Sequence, residues 1–517
     1  MNTLENNYNL IERNFVDYII SIAGPNKESD EKRQSNLSII KQIIVNGFNE
    51  PDIIVHIFSF GSFPFKDYHK DSDIDVTVVL EDKTSHKLIT MNTNDFLNRI
   101  LTIIENSLRN YFSQSGSDEY IERIDADVRL IKCKFEGVSF DISINNFSGL
   151  FKIIFMHNLE TKYLDRYFYK KTLVLIKTWC YYQGCILGSN IGLLGSYALE
   201  ILVLYMFNNY GGTFNNEIEA FFTFFDLISK VNWENQVLTI YGLFDNNQLA
   251  NYGLNLENLF KEYKFSDKQI IKYNEISEFV KQFERFNNIE KVQNFNVNKK
   301  ALFIGKYNMY IIDPIFNSNN LAKSVNLHNY SRIKELFLYM SNKCNELIKG
   351  KISGILNPNE YLNSLLELFS NILIKNNSTL FRLNLPGPKI VILPQKQQTK
   401  TSSTTDSMKK EDDNILLNMN NKYTNNNYYP QNKESVIRNS NRISSMMWPS
   451  NTEIQDEQCL LDYYNENIAK VDYITPEINE FFNKNTINIS NPDYKKYEFI
   501  TNEEVKEIEE FEKNSII

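Results

Sequence analysis

An α/β (α+β) fold is predicted, in which a mixed-sheet lobe joins a larger helical lobe and a disordered C-terminal region follows. Three features of the chain carry this expectation. Residues 52–150 interleave short apolar-alternating runs with one helical pattern. Residues 165–385 are mainly helical in periodicity. From about residue 395 the chain turns polar and repetitive (QKQQTKTSSTTDSMKKEDD, NMNNKYTNNNYYPQNK), too poor in apolar area to offset the entropy of ordering.

The elements follow in order. Residues 1–48 read as helices, with apolar positions at Leu10, Ile11, Phe15, Ile19 and Ile20, then at Ile39, Ile40, Ile43 and Ile44. Residues 53–60 and 74–80 read as strands, 94–111 as a helix, and 127–135 with 138–144 as a hairpin around Glu136-Gly137. Apolar periodicity of helical type recurs at 165–183, 193–208, 217–230, 268–285 and 330–349. A break comes at Pro386-Gly387-Pro388, and 457–517 are acidic with scattered aromatics, suited to a partner-binding or a solvating tail. No internal repeat is visible.

Composition bounds the function. The 517 residues suffice for two or three domains, and 42% hydrophobic content implies a substantial core. A net charge of −9 argues against a broadly basic nucleic-acid coat, though not against a locally basic cleft. The five cysteines are scattered without CxxC or zinc-type spacing, as expected of reduced thiols in an intracellular protein. The longest apolar run, 191–207, carries Glu200 and reads as a buried core helix, so no membrane span is expected.

The densest chemical signal is HIFSFGSFPFKDYHKDSDIDVTVVLED, residues 56–82. An apolar run ends in Gly61-Ser62, a small-residue turn that lets backbone approach phosphate. After a polar loop, Asp73 and Asp75 stand two apart at the start of a strand and so project to one side. A third carboxylate, Asp141, lies in the apolar-alternating VSFDISINN, where it is costly to bury without a cation or hydrogen-bond partner. Three aspartates at adjacent strand ends suit two divalent ions, magnesium or manganese, one activating a hydroxyl and both stabilising a phosphoryl group in transfer. A calcium loop through Asp71, Asp73 and Asp75 fails, because Val76 stands where the required glycine would be and the strand continues.

The Gly-Ser turn, DxD and distal aspartate together resemble the signature of DNA polymerase β-like nucleotidyltransferases. Lys177-Thr178-Trp179 and Gly192-Leu193-Leu194-Gly195-Ser196-Tyr197-Ala198-Leu199 are similar to the KxW and GLxSYAL elements of template-independent poly(A) polymerases and terminal uridylyltransferases. Ile311-Ile312-Asp313-Pro314-Ile315 with Asn319-Asn320-Leu321-Ala322 resembles that family's late DPF…NxA/G segment, and the likeness runs over roughly residues 1–350.

The resemblance implies a division into N-terminal helices packing on the helical lobe (1–48), a nucleotidyltransferase catalytic domain (49–150) and a helical substrate-binding domain of the poly(A) polymerase/oligoadenylate synthetase type (151–390). A low-complexity linker (391–455) and the acidic tail (456–517) complete it. It implies metal ligation by Asp73, Asp75 and Asp141, and triphosphate contacts from Gly61 and Ser62. It further implies a ribose-side Asn146, triphosphate contacts from Lys177 and Ser196, and base stacking on Tyr197. Two departures stand out. Tyr181 replaces a second phosphate-binding lysine, and Asn319 stands where uridylyltransferases carry a uracil-selecting histidine, which favours ATP over UTP. No RNA-recognition module is visible, so RNA would be held by the cleft and by an RNA-binding protein partner. The leading expectation is an enzyme adding AMP to RNA 3′ ends. Uridylyl transfer, an acceptor of the oligoadenylate synthetase kind and a catalytically silent RNA- or partner-binding scaffold remain the alternatives.

Overall fold

The computed structural model describes residues 2–89, 94–115, 120–125, 129–266, 268–284 and 305–375. The linker and acidic tail expected at 391–517, and the first residues of the strand expected at 127–135, lie outside the described residues.

Two helices lead, α1 (Asn2–Ala23) and α2 (Lys27–Gly47), the second capped by Asn26, whose side chain accepts from the Ser29 N–H. The sheet lobe then runs β1 (Ile53–Phe60), a single turn α3 (Ser62–Phe65), β2 (Ile74–Asp82), β3 (Lys87–Leu88), α4 (Asn94–Ser115), β4 (Ile121–Ile124), β5 (Leu130–Phe135) and β6 (Val138–Ile144). Helices α5 (Phe147–Tyr163), α6 (Arg166–Thr178), α7 (Ser196–Tyr210) and α8 (Glu217–Ser229) build the second lobe. A small hairpin, β7 (Gln236–Thr239) and β8 (Gly242–Asp245), precedes α9 (Asn246–Ala250), α10 (Leu256–Glu262) and α11 (Tyr273–Glu284). Last come α12 (Leu327–Ser353), α13 (Pro358–Leu368) and α14 (Ser370–Lys375).

The main sheet has the order β1-β2-β6-β5-β4, with β3 beside β2. Only β2 and β6 run parallel; the neighbours are antiparallel, so the sheet is mixed. Alternation sorts its two faces. Ile74, Val76, Val78 and Leu80 of β2 join Phe140 and Ile142 of β6 in a core with Ile40 and Ile44 of α2 and Ile100 and Ile104 of α4. The opposite face carries Phe58 and Val79 into the helical core. Asp75 of β2, Asp141 of β6 and Lys132 of β5 alternate with these buried apolar residues, so they stand on the side that faces the helical lobe.

Two domain expectations need correction. Helix α1 does enter the helical core through Ile11, Phe15 and Ile19, but α2 sends Leu37, Ile40 and Ile44 into the sheet core. The helical stripe of 27–47 carries no label saying which lobe covers it. The division at 150/151 also falls inside α5, whose Leu150, Phe151, Ile154 and Phe155 pack as one face of the helical core. Of the run 191–207, residues 196–207 lie in α7, whose apolar side chains are buried from Ala198 onward, whereas 191–195 precede it and Ile191 is exposed. No helix among the described residues is long and apolar enough to cross a membrane. Cys133, Cys180, Cys185 and Cys344 are free thiols.

Candidate active site

The Gly-Ser turn is a conformational requirement. Gly61 sits at φ 74°, in the region that favours glycine, and a Cβ there would come within 2.3 Å of Asp75 Oδ2. Phe60 and Asp75 are register partners across β1 and β2, and Asp75 and Asp141 across the parallel β2–β6 pair. Sheet pairing therefore brings aspartates 66 residues apart in sequence side by side, with Asp73 one step ahead of β2. The ammonium of Lys132 lies between them, 2.8 Å from Asp73 Oδ2 and 3.1 Å from Asp141 Oδ1.

Charge crowding is evident in the ionisation of the group. Burial, followed by the charges of Asp141 and Asp73, pushes the Asp75 carboxyl up to about 7. Burial also raises Asp141, with Lys132 opposing it. Against partial burial, the hydrogen bond to Asp73 and the charge of Asp141 hold Lys132 above the ordinary lysine range. No group of three or more His, Cys, Asp or Glu side chains among the described residues is arranged to hold an ion as it stands. The donors nevertheless suit a hard divalent cation: all are carboxylate oxygens, and Asp141 Oδ1 is buried without a well-aligned hydrogen bond. Such a cation would supply charge to a nucleophilic hydroxyl and to phosphate oxygens.

The remaining predicted residues stand in different circumstances. Asn146 caps α5, its side chain accepting from the Gly149 N–H at 3.2 Å and from Ser148 Oγ at 2.9 Å. Its backbone N–H donates to Thr77 Oγ1 at 2.8 Å, which fastens it beside β2. Ser62 opens the single turn α3, and the exposed Ser196 is the first residue of α7. Tyr197 is partly exposed, with Lys152 Nζ 4.4 Å from its ring centroid. Burial and then the charge of Asp313 push its phenol well up. Asn319 donates through Nδ2 to Asp313 Oδ2 at 3.1 Å, and Asp313 in turn accepts from the Ile315 N–H at 3.0 Å.

Lys177 is placed differently from the open phosphate contact that the motif implies. It is buried, and its three N–H donors go to Asp67 Oδ2 at 2.7 Å, Glu200 Oε1 at 2.6 Å and the Asp67 carbonyl at 3.4 Å. Tyr181, in place of a second lysine, lies against the His69 ring with centroids 3.9 Å apart. Asp67, Lys132 and Lys152 escaped the motif reading, because what they touch is 110, 9 and 161 residues away. Glu200 did leave a trace: an acid inside an apolar run is costly to bury unpaired.

Two family models match the chain. The model described as "Poly(A) RNA polymerase, mitochondrial-like, central palm domain" matches residues 14–154, and the PAP/OAS1 substrate-binding domain matches residues 165–373. No curated protein matches. Similar solved structures include the Cid1 poly(U) polymerase (15% identity, 65% of this chain and 94% of that one, TM-score 0.43). A cytoplasmic RNA terminal U-transferase is another (15% identity, 64% of this chain and 94% of that one, TM-score 0.42). With a palm domain and a substrate-binding domain matched in succession over the two described lobes, the chain belongs to the poly(A) polymerase/terminal uridylyltransferase family of RNA nucleotidyltransferases.

Proposed function

We propose that this enzyme transfers AMP from ATP to the 3′ end of RNA, with pyrophosphate leaving in line. Asp73, Asp75 and Asp141 would hold the two magnesium or manganese ions that the donor set suits. The turn at Gly61 and Ser62 and Ser196 at the start of α7 would contact the triphosphate, and the partly exposed Tyr197 ring would stack on the base.

One observation carries the choice of ATP. The amide of Asn319 donates one Nδ2 hydrogen to the buried Asp313, which fixes the amide and leaves Oδ1, beside the second Nδ2 hydrogen, to meet a base. Its Oδ1 can accept from the exocyclic amine of adenine, a bond that the uracil O4, itself an acceptor, cannot make with it. A histidine at this position, as uridylyltransferases carry, would present a ring N–H instead.

Extension of a labelled RNA oligomer with each of the four nucleoside triphosphates, under magnesium or manganese, tests this reading. ATP should give the long ladder and UTP a short one. A UTP ladder at least as long as the ATP ladder would overturn the choice of nucleotide, and no extension with any of the four would overturn the reaction.

A further inference from the structure

Helix α6 carries two lysines seven residues apart, Lys170 and Lys177, on one face of the helix. Both are buried, and both reach the loop that joins β1 to β2. Lys170 donates to the carbonyl of Phe65, and Lys177 to the carbonyl and carboxylate of Asp67. Each is balanced by an acid from a flanking helix: Glu160 of α5 lies 3.2 Å from Lys170, and Glu200 of α7 lies 2.6 Å from Lys177. Farther along the loop, His69 packs on Tyr181, and Asp71 accepts from the Tyr182 hydroxyl at 2.6 Å. The far end of this loop is Asp73.

We propose that α6 is a strut whose Lys170 and Lys177 hold residues 62–72 and so position Asp73 and Asp75. Lys177 is then a positioning residue whose ammonium serves the loop and not the triphosphate, and Glu160 and Glu200 are the framework counter-ions of Lys170 and Lys177. The consequences for catalysis rest on the transferase reading above. Two considerations support the assignment. All three donors of Lys177 are already engaged with protein acceptors. Pulling the ammonium away would leave Asp67 and Glu200 buried with nothing to neutralise them. Nucleotide binding would have to supply that energy as well as its own.

The full-length protein with Lys177→Met separates a strut from a phosphate ligand, provided that two quantities are read together. The first is hydrogen–deuterium exchange of the amides of 62–72. The second is the ratio of ATP to AMP affinity with magnesium and without RNA. The strut predicts exchange about tenfold faster or more in that loop, with the ATP:AMP ratio kept within about twofold. Unchanged exchange overturns the proposal, and so does a fall in the ratio of about tenfold or more, which marks a lost phosphate contact. Should Lys177→Met fail to fold, Glu200→Gln keeps an acceptor and removes one charge. Faster loop exchange with no gain in ATP affinity upholds the strut, whereas tighter ATP binding shows the lysine released to phosphate and overturns it. A wild-type protein that binds no nucleotide would sink the transferase reading, while loop exchange would still judge the strut.

Discussion

Two clusters among the described residues place a lysine between two carboxylates, and their exposure is opposite. Lys132, between Asp73 and Asp141, keeps 36% of its side chain open to solvent. Lys177, between Asp67 and Glu200, keeps 4%. In the open cluster water and ions can compete for each partner, so an ammonium there is replaceable and the pair adds little to stability. In the closed cluster no competitor reaches the pair, and removing one member strands a buried charge. We propose that the same three groups serve as an ion seat in one place and as a piece of framework in the other. Solvent access, not residue type, assigns the role.

The largest effect that would break this contrast concerns the open cluster. Asp73→Ala should lower nucleotide incorporation by about a thousandfold or more, with the melting temperature little changed. A mutant that melts much lower yet still extends RNA would make Asp73 a framework residue instead. Next in size is the stability difference between the lysines. Lys177→Met should cost about 3–5 kcal/mol in denaturant unfolding, against about 1 kcal/mol or less for Lys132→Met. Equal costs would erase the distinction.

Much of this was legible in advance where structure is local. Alternation placed strands over Ile53–Phe60 and Val138–Ile144 with the bounds they have in the fold. The spacing of Asp73 and Asp75 pointed to a shared side, and Asp141 proved to be the register partner of Asp75. Helix α5 was missed because Phe147–Tyr163 is buried nearly all round and shows no apolar stripe. The partners of Lys177 were missed for another reason. Asp67 lies 110 residues before it in an ordinary polar loop, and such pairs leave no periodic signature. A motif identified the lysine; only the packing shows which acids hold it.

Two smaller effects sharpen the contrast from the nucleotide side and from pH. Asn319→His should shift the ratio of UTP to ATP incorporation by about tenfold toward UTP, measured with both nucleotides in competition. Burial outweighs Lys177 and raises the Glu200 carboxyl from an ordinary 4.5 to about 7. The fold thus favours its protonated form, so this contribution to stability is full below about 4.5, falls as pH rises toward about 7, and is level beyond. Melting curves across that range should slope downward in the wild type and less steeply in Glu200→Gln. An identical slope would remove Glu200 from the account.

The most direct test of the contrast is manganese binding to the nucleotide-free protein, followed by electron paramagnetic resonance in the wild type and in Asp141→Asn. Saturable binding is expected in the wild type, with a loss of about tenfold or more in affinity once one carboxylate of the open cluster is gone. Manganese bound equally well by Asp141→Asn would show that the ion seat lies elsewhere.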